Sequence, residues 1–307
     1  MERCIAVVGA TCTGKSGLAM ALAKGLRGEI VNADALQVYR GFDIGTAKPT
    51  PAERRAVPHH LIDVLEPEER YSAGEFARRA RPVIADVLRR GGTPIVVGGS
   101  GLYLRALFTG LHPMPPISEE VRRRVRGRME GEGLEAAFAE LRSRDPATAA
   151  RLQPADRQRI ARALEVLEET GRPLSSWRSG DPTAPDLRPV RVGLTLPRTL
   201  LYDRIASRAR QMLRRGWLEE VRGLLEGGVA HTAPAFQAIG YRQLLAHLEG
   251  RRSLEAAMED TIRETRRYAK RQQTWFRREP VDAWFPASTQ RALESDVMTF
   301  LRTEVEG

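Results

Sequence analysis

Cysteine is scarce in this chain, with only Cys4 and Cys12 among 307 residues. Both lie near a predicted first strand, so they indicate neither a disulfide framework nor a metal site. No Cys/His cluster occurs anywhere, which excludes a zinc finger. His59 and His60 are adjacent, and adjacent side chains on a strand point to opposite faces, so we do not interpret them as a metal pair.

Long apolar runs are also missing. The sequence contains no stretch of 18 apolar residues that could form a transmembrane helix. Residues 1–3 lead straight into a predicted strand without the pattern of a signal peptide. We therefore expect a cytoplasmic protein with no membrane partner. Hydrophobic residues make up 42% of the chain and recur in every long segment, which excludes a disordered chain and permits a sizeable core.

Acidic residues are outnumbered by basic ones, 39 against 49, which gives a net charge of +10. Most of the excess is arginine. Such a balance is compatible with a polyanionic partner such as nucleic acid, with an anionic membrane surface, or with solubility alone. The positions of the arginines have to decide between these interpretations.

The first third of the chain alternates between apolar strands and helices. Residues 4–8, 29–32 and 94–97 are short apolar segments typical of buried strands, and residues 16–26 and 73–90 have helical spacing. This alternation predicts an α/β fold with a parallel sheet covered by helices.

The pattern changes after residue 112, where strand candidates vanish. Residues 156–170 form one apolar helical face, with Ile160, Ala163, Leu164 and Leu167 at spacing i, i+3, i+4 and i+7. A strand is predicted again at residues 190–196. We therefore predict a P-loop NTPase-like core from residues 1–112 and 190–307, interrupted by an all-helical insertion domain at residues 113–189.

A phosphate-binding motif directly follows the first predicted strand. It reads G-x-x-x-x-G-K-S and consists of Gly9, Ala10, Thr11, Cys12, Thr13, Gly14, Lys15 and Ser16. Its glycines let backbone N–H groups wrap around phosphate oxygens at the positive end of the following helix. Lys15 adds a positive charge, and Ser16 offers a hydroxyl to Mg²⁺. The motif predicts that the protein binds a phosphate or pyrophosphate group.

The loop alone leaves the chemistry open. An NTP-hydrolysing enzyme usually has a magnesium-binding Asp at the end of an apolar strand, whereas residues 94–97 run into Gly98, Gly99, Ser100 and Gly101. No Asn-Lys-x-Asp motif for reading guanine is present either. The bound group is therefore the pyrophosphate of a substrate or the ATP of a kinase.

Asp34 follows the second predicted strand. Because the carboxyl ends of parallel strands meet at one crevice, Asp34 is expected to face the bound phosphates. A general base or a metal ligand is one interpretation of this residue, and a simple helix cap is the other.

A basic face lies on the predicted helix at residues 253–278. Its members follow the spacing i, i+3, i+4, i+7 and i+8 and are Arg263, Arg266, Arg267, Lys270 and Arg271. Like charges on one helical face repel each other, and a polyanion would relieve that repulsion. A merely solvated face is the alternative, because Glu259, Asp260 and Glu264 can pair with some of these cations.

The predicted insertion carries two further basic clusters. They consist of Arg122, Arg123, Arg124, Arg126 and Arg128, and of Arg157, Gln158, Arg159 and Arg162. Arginine and glutamine suit contacts to phosphates and base edges. Basic patches beside a phosphate-binding core predict a small-molecule enzyme whose second substrate is RNA or DNA.

Taken together, these motifs resemble those of the tRNA dimethylallyltransferases, also called tRNA isopentenyltransferases, over nearly the full length of the chain. The segments that carry the resemblance are residues 9–16, 33–41, 43–49, 58–63, 97–103, 156–160, 237–241 and 265–272. No extended zinc-finger tail is present, so the chain resembles the bacterial form. Ala10, Cys12, Thr13, Ala35 and Ser100 depart from the usual family residues, but none of these changes removes a charged or acid–base group.

The resemblance implies transfer of a dimethylallyl group from dimethylallyl pyrophosphate to N6 of the adenosine 3′-adjacent to a tRNA anticodon. The P-loop would hold the prenyl pyrophosphate with Mg²⁺, and Arg198 would lie near it. Asp34 would be the general base, with Ser100 and Lys15 as the other catalytic residues. We expect a monomer that binds the anticodon stem-loop of tRNA. The tRNA-binding residues that the resemblance implies are Asp34, Ala35, Leu36, Gln37, Ser100, Arg122, Gln158, Arg159, Ile160, Ala161, Arg162, Gln237, Arg266 and Lys270.

Two alternatives remain at this point. A small-molecule kinase that uses the loop for ATP would explain residues 9–16 but not the basic insertion. A non-catalytic RNA-binding P-loop protein would explain the arginines but would give Asp34 no task.

Overall fold

The computed structural model describes residues 4–178, 187–287 and 290–306. The chain divides into two compact units. The first comprises Met1–Phe108 and Pro185–Gly307, and the second comprises Thr109–Ala184.

Six strands form one parallel sheet within the described residues, in the order β3-β2-β4-β1-β5-β6. The strands are β1 (Cys4–Gly9), β2 (Gly28–Asn32), β3 (His59–His60), β4 (Thr93–Gly98), β5 (Pro189–Thr195) and β6 (Ala283–Pro286). Every residue of β1 is buried, as its unbroken apolar run predicts for a strand covered on both faces. The predicted α/β fold is confirmed.

The helices are numbered along the chain. They are α1 (Lys15–Gly25), α2 (Pro51–Ala56), α3 (Ala73–Arg89), α4 (Gly101–Phe108), α5 (Glu119–Gly131), α6 (Gly133–Arg144), α7 (Pro146–Ala149), α8 (Arg157–Thr170), α9 (Arg198–Arg214), α10 (Trp217–Glu226), α11 (Tyr241–Leu248), α12 (Leu254–Phe276) and α13 (Gln290–Glu306). Serine side chains cap the amino ends of α3 and α12, where the hydroxyls of Ser72 and Ser253 accept hydrogen bonds from N–H groups of the first turn. None of the described helices is long and apolar enough to cross a membrane.

The second unit is built from α5 to α8, and strands are absent from its described part. Its core contains the apolar face predicted for α8, in which Ile160, Ala163 and Leu164 pack with Val125 and Leu141. The prediction of an all-helical insertion is confirmed.

Helix α13 was not predicted, because its apolar residues are diluted by charged ones. Leu293, Val297 and Leu301 recur every four residues and join Leu18 and Leu22 of α1 in the core on one side of the sheet. Because all strands run parallel, the loops that follow β1, β2, β4 and β5 meet at one edge of the sheet, where the predicted site residues lie.

Candidate active site

A cavity of about 620 Å³ lies at the carboxyl ends of the strands in the first unit. Lys15 and Ser16 line it, together with Asp34 and Gln37 from the loop after β2 and Gly98 from the end of β4. The volume suits a small-molecule ligand. The structure thus brings the phosphate loop and the predicted base into one space.

The phosphate loop is braced by its own hydrogen bonds. The Lys15 Nζ and the Thr13 hydroxyl both donate to the Ala10 carbonyl oxygen, at 2.6 and 2.9 Å. Gly14 has a φ of 93°, a left-handed conformation that favours glycine just before α1 begins. Ser16 is exposed in the first turn of α1, and its hydroxyl has no hydrogen-bond partner within the described chain.

Lys15 is electrostatically tuned. Burial lowers its pKa to about 8, Asp34 opposes that shift, and the positive charge of Arg208 adds to it. Arg204, Arg208 and Arg215 all line the cavity. None of these three arginines was predicted as a site residue, although the spacing of Arg204 and Arg208 on α9, i and i+4, could have indicated a common face.

Asp34 is held by a tight turn. Its Oδ1 accepts the N–H of Leu36 at 2.9 Å, and its own N–H donates to the Asn32 Oδ1 at 3.1 Å. Asn32 is in turn anchored by donating to the Leu61 carbonyl at 3.0 Å. The Asp34 Oδ2 makes no hydrogen bond to any described residue. No helix begins at this turn, so the helix-cap interpretation is wrong, and a carboxylate oxygen is left available in the cavity.

Helix α12 contributes its inner face to the site. Burial and the negative charge of Asp34 raise the pKa of the Tyr268 hydroxyl to about 12, while hydrogen bonds with Ser100 and Gln272 lower it. Ser100, predicted as catalytic, therefore lies close to the Tyr268 hydroxyl, but it is not among the residues that line the cavity with Asp34. Tyr268 and Gln272 lie in the segment at residues 265–272 that carries the family resemblance, but neither was predicted as a site residue, because only the basic face of this helix was interpreted.

Gln272 joins the ends of two strands. Its Oε1 accepts the Thr11 N–H at 2.8 Å, and its Nε2 donates to the Gly99 carbonyl at 2.9 Å. A Cβ on Gly99 would lie 2.2 Å from that Nε2, so a larger residue at this position would displace the Gln272 carboxamide. One buried side chain of α12 thus holds the phosphate loop and the loop after β4 in fixed positions relative to each other.

The predicted basic face of α12 separates into two groups. Arg263 and Arg267 form ion pairs with Asp260 and Glu264, as the solvated-face alternative expected. Arg266 and Lys270 have no carboxylate partner in the described part of the protein. Arg271, the fifth member of the face, also has no carboxylate partner among the described residues and lies over the Tyr268 ring, so these three cations remain available for a polyanion.

Arg198 was predicted near the pyrophosphate. It is exposed, and its guanidinium carbon lies 5.2 Å from the centre of the Tyr202 ring. The Arg266 guanidinium lies over the same ring at 5.1 Å. Arg198 is not among the residues that line the 620 Å³ cavity, where Arg208 occupies the place expected for it.

The remaining predicted RNA contacts are distributed over both units. Gln237 lies at a second cavity of about 560 Å³, lined also by Arg242 and Arg263. In the second unit Gln158 and Arg159 are exposed, and Arg122 and Arg162 are half-buried. Ala161, which precedes Arg162 on α8, is half-buried too. Ile160 is completely buried in the core of that unit, so the interpretation of its side chain as an RNA contact needs correction.

The two adjacent histidines have separate structural partners. His60 Nε2 lies 2.6 Å from Glu29 Oε2, and His59 Nδ1 lies 2.8 Å from the Val57 carbonyl oxygen. No group of three or more potential metal-binding side chains was found within the described ranges.

A parallel sheet with a Gly-Lys-Ser loop at the end of a central strand, facing a carboxylate across a cavity, defines a phosphate-binding protein of the P-loop class. Residues 37–279 match the family described as IPP transferase, and residues 2–64 match the one described as isopentenyl transferase. The chain belongs to the IPP transferase family.

Individual relatives agree with this assignment. A tRNA dimethylallyltransferase of Syntrophobacter fumaroxidans is 48% identical over 96% of this chain and 86% of its own length. The crystal structure of a tRNA isopentenylpyrophosphate transferase from Bacillus halodurans is similar with a TM-score of 0.73 and 36% identity, covering 100% of this chain and 97% of that one. A eukaryotic dimethylallyltransferase acting on tRNA is similar with a TM-score of 0.77 and 28% identity, covering 94% of this chain and 75% of that one.

Proposed function

We propose that the protein transfers the dimethylallyl group of dimethylallyl pyrophosphate to N6 of the adenosine 3′-adjacent to the anticodon of a tRNA. The products are N6-isopentenyladenosine and pyrophosphate. The observation that carries the proposal is the cavity of this IPP transferase family member, in which the phosphate loop and the carboxylate of Asp34 line the same space.

The chemistry requires stabilisation of the leaving group. The adenine amine is a weak nucleophile because its lone pair is shared with the ring, so the bond between the allylic carbon and the pyrophosphate oxygen breaks as attack begins. Negative charge then grows on the pyrophosphate. Backbone N–H groups of residues 12–16, Lys15 and Arg208 would stabilise that charge.

The attacking amine must lose a proton. Asp34 holds its turn with Oδ1 and leaves Oδ2 available in the cavity, so this carboxylate can accept the N6 proton. Ser100 and Tyr268 are the proposed polar neighbours of the base, since the negative charge of Asp34 acts on the Tyr268 hydroxyl and that hydroxyl lies close to Ser100.

Mg²⁺ is the proposed cofactor. Ser16 fits it, since its exposed hydroxyl at the start of α1 is an oxygen donor without a protein hydrogen bond in the described structure, and substrate phosphates would complete the ligand set. When bound, the ion would help to neutralise the departing pyrophosphate.

The RNA has to present a base that is out of its stack, which an unpaired anticodon loop allows at low cost. Residues 34–37 would contact the target nucleotide, and the exposed cations of the second unit would contact the RNA backbone. We further propose that the protein is cytoplasmic and acts as a monomer.

Nucleoside analysis tests the proposed function directly. Incubation of the protein with an unmodified anticodon stem-loop, dimethylallyl pyrophosphate and Mg²⁺ should yield N6-isopentenyladenosine at the position after the anticodon, detected by mass spectrometry. Tight binding of ATP together with indifference to dimethylallyl pyrophosphate would instead identify a kinase. Stable RNA binding without any prenyl transfer would identify a non-catalytic binding protein.

The lowered pKa of Lys15 predicts how donor binding depends on pH. The ammonium form binds the pyrophosphate and predominates below a pKa of about 8. The affinity should therefore be greatest below that pH and fall by up to about tenfold for each unit above it. Calorimetric titration over a pH series would measure this, and Lys15→Met, which lacks the ammonium but keeps the other titrating groups of the cavity, is the reference. Parallel pH profiles for the two proteins would contradict the prediction.

The division of the α12 cations predicts unequal effects on RNA binding. Replacing Arg266 and Lys270 with Ala should weaken stem-loop binding and reduce the slope of log affinity against log salt by about 1 per lost phosphate contact. Replacing Arg263 and Arg267, which are already paired with carboxylates, is the matched control and should change the slope less. If both double variants kept the salt slope of the unmodified protein, the whole face would be merely solvated.

A further inference from the structure

The carboxylate of Glu220, on α10, holds the segment at residues 42–48, here called the 42–48 loop. Four groups donate hydrogen bonds to this one side chain. They are the N–H groups of Asp43 at 3.0 Å, Ile44 at 2.6 Å and Gly45 at 3.4 Å, and the hydroxyl of Tyr241 at 2.6 Å. An anion that accepts several backbone N–H groups fixes the conformation of the chain that supplies them. Glu220 therefore acts as an anchor for the loop.

Aromatic side chains support the same loop from behind. Tyr241 is completely buried, and its ring centre lies 4.6 Å from that of Phe42. The buried indole of Trp217 fills the space beside Gly45, where a Cβ would lie 2.0 Å from the indole Nε1. Packing of this kind restrains the conformation of the 42–48 loop, and the restraint comes from α10 and α11.

The loop in turn sets the orientation of Gln37, which lines the cavity with Asp34. The Gln37 Nε2 donates to the carbonyl oxygens of Thr46 at 3.1 Å and Ala47 at 3.3 Å. Two carbonyl oxygens on one side of a carboxamide can face only its NH₂ group. The Gln37 Oε1 has no hydrogen-bond partner among the residues that the structure describes, and so remains an acceptor.

We propose that Glu220 is a positioning residue that, through the 42–48 loop, presents the Gln37 Oε1 as a fixed acceptor selecting a base with an exocyclic amine. The proposal rests on the proposed function, since it concerns the acceptor base in that same cavity. An adenine amine has two hydrogens, so it can donate one hydrogen bond to the Asp34 carboxylate and the other to the Gln37 Oε1. A keto oxygen at the same position would meet a second acceptor and be rejected.

Binding without the prenyl donor tests the selection independently of the reaction. Two anticodon stem-loops would be compared, one with adenosine and one with inosine at the target position. The unmodified protein should prefer adenosine by about tenfold, the size expected for one hydrogen bond gained or a repulsion avoided. Gln37→Met and Glu220→Gln should each bring this preference close to one, because an amide at position 220 no longer offers two acceptor oxygens to the loop.

The controls separate positioning from general damage. Glu219 is the exposed neighbour of Glu220 and makes none of these bonds, so Glu219→Gln should retain the preference. Glu220→Gln should retain its affinity for inorganic pyrophosphate, which binds at the phosphate loop. Three results would overturn the proposal: an unmodified protein without a preference, a preference retained in Glu220→Gln or Gln37→Met, or loss of pyrophosphate affinity in Glu220→Gln. Failure of the unmodified protein to prenylate the adenosine stem-loop is a separate readout, and it would reject the proposed function instead.

Discussion

Asp34→Asn is expected to lower the rate of prenyl transfer by about 10² to 10⁴, the range that positioned acid–base groups contribute. Asparagine keeps an oxygen that can accept the Leu36 N–H, so the turn after β2 should survive. It cannot accept a proton from the adenine amine. Single-turnover transfer to an anticodon stem-loop would measure the loss.

Binding measurements show whether the loss is chemical. The Asp34→Asn protein should bind the stem-loop and pyrophosphate with affinities close to those of the unmodified protein. Asp203→Asn, at an exposed carboxylate on α9, is the control for a change of charge away from the cavity and should transfer normally. Unimpaired transfer by Asp34→Asn would exclude Asp34 as the base.

Much of the fold could be predicted because its signals are local. The strands β1, β2 and β4 are short apolar runs between helical segments, and that pattern alone indicates a buried parallel sheet. Helix α13 was missed for a physical reason: its apolar residues are spaced every four positions in a polar tail, and only packing on α1 shows what they bury.

Only the part of the site that directly follows individual strands could be predicted from the sequence. The phosphate loop and Asp34 were found because each directly follows a strand whose end defines its place. Gln272 was not found, because its contact with Thr11 joins residues 261 positions apart in the chain. The orientation of Gln37 depends in the same way on Glu220, which no local pattern associates with it.

Which arginine lies at the cavity could also be seen only in the structure. Arg198 and Arg208 are both on α9, and charge alone does not say which of them lies at the cavity. The helix turns Arg208 toward Lys15 and leaves Arg198 exposed on the Tyr202 ring. Counting arginines therefore predicted a polyanionic partner, whereas assigning individual roles required the helix orientation.

Lys15→Met is expected to reduce prenyl transfer by about 10² to 10³, the loss typical of removing one preorganised group that stabilises developing negative charge. Lys15 lies at the phosphate loop, and its Nζ now donates to the Ala10 carbonyl at 2.6 Å. A bound pyrophosphate would offer a stronger acceptor. Methionine has a similar length but no charge, so the loop should fold while the departing group loses its cation.

The mechanism predicts that part of this loss appears in kcat, in addition to a weaker affinity for the donor, because the charge on the pyrophosphate grows as the allylic bond breaks. Transfer rates at saturating donor would therefore be compared with donor affinity measured by calorimetry. Lys24→Met, at the exposed end of the same helix, is the matched control and should leave both quantities unchanged. If Lys15→Met raises KM but leaves kcat intact, Lys15 contributes equally to the ground state and the transition state. The stabilisation of the leaving group would then rest on the backbone N–H groups and the arginines of α9.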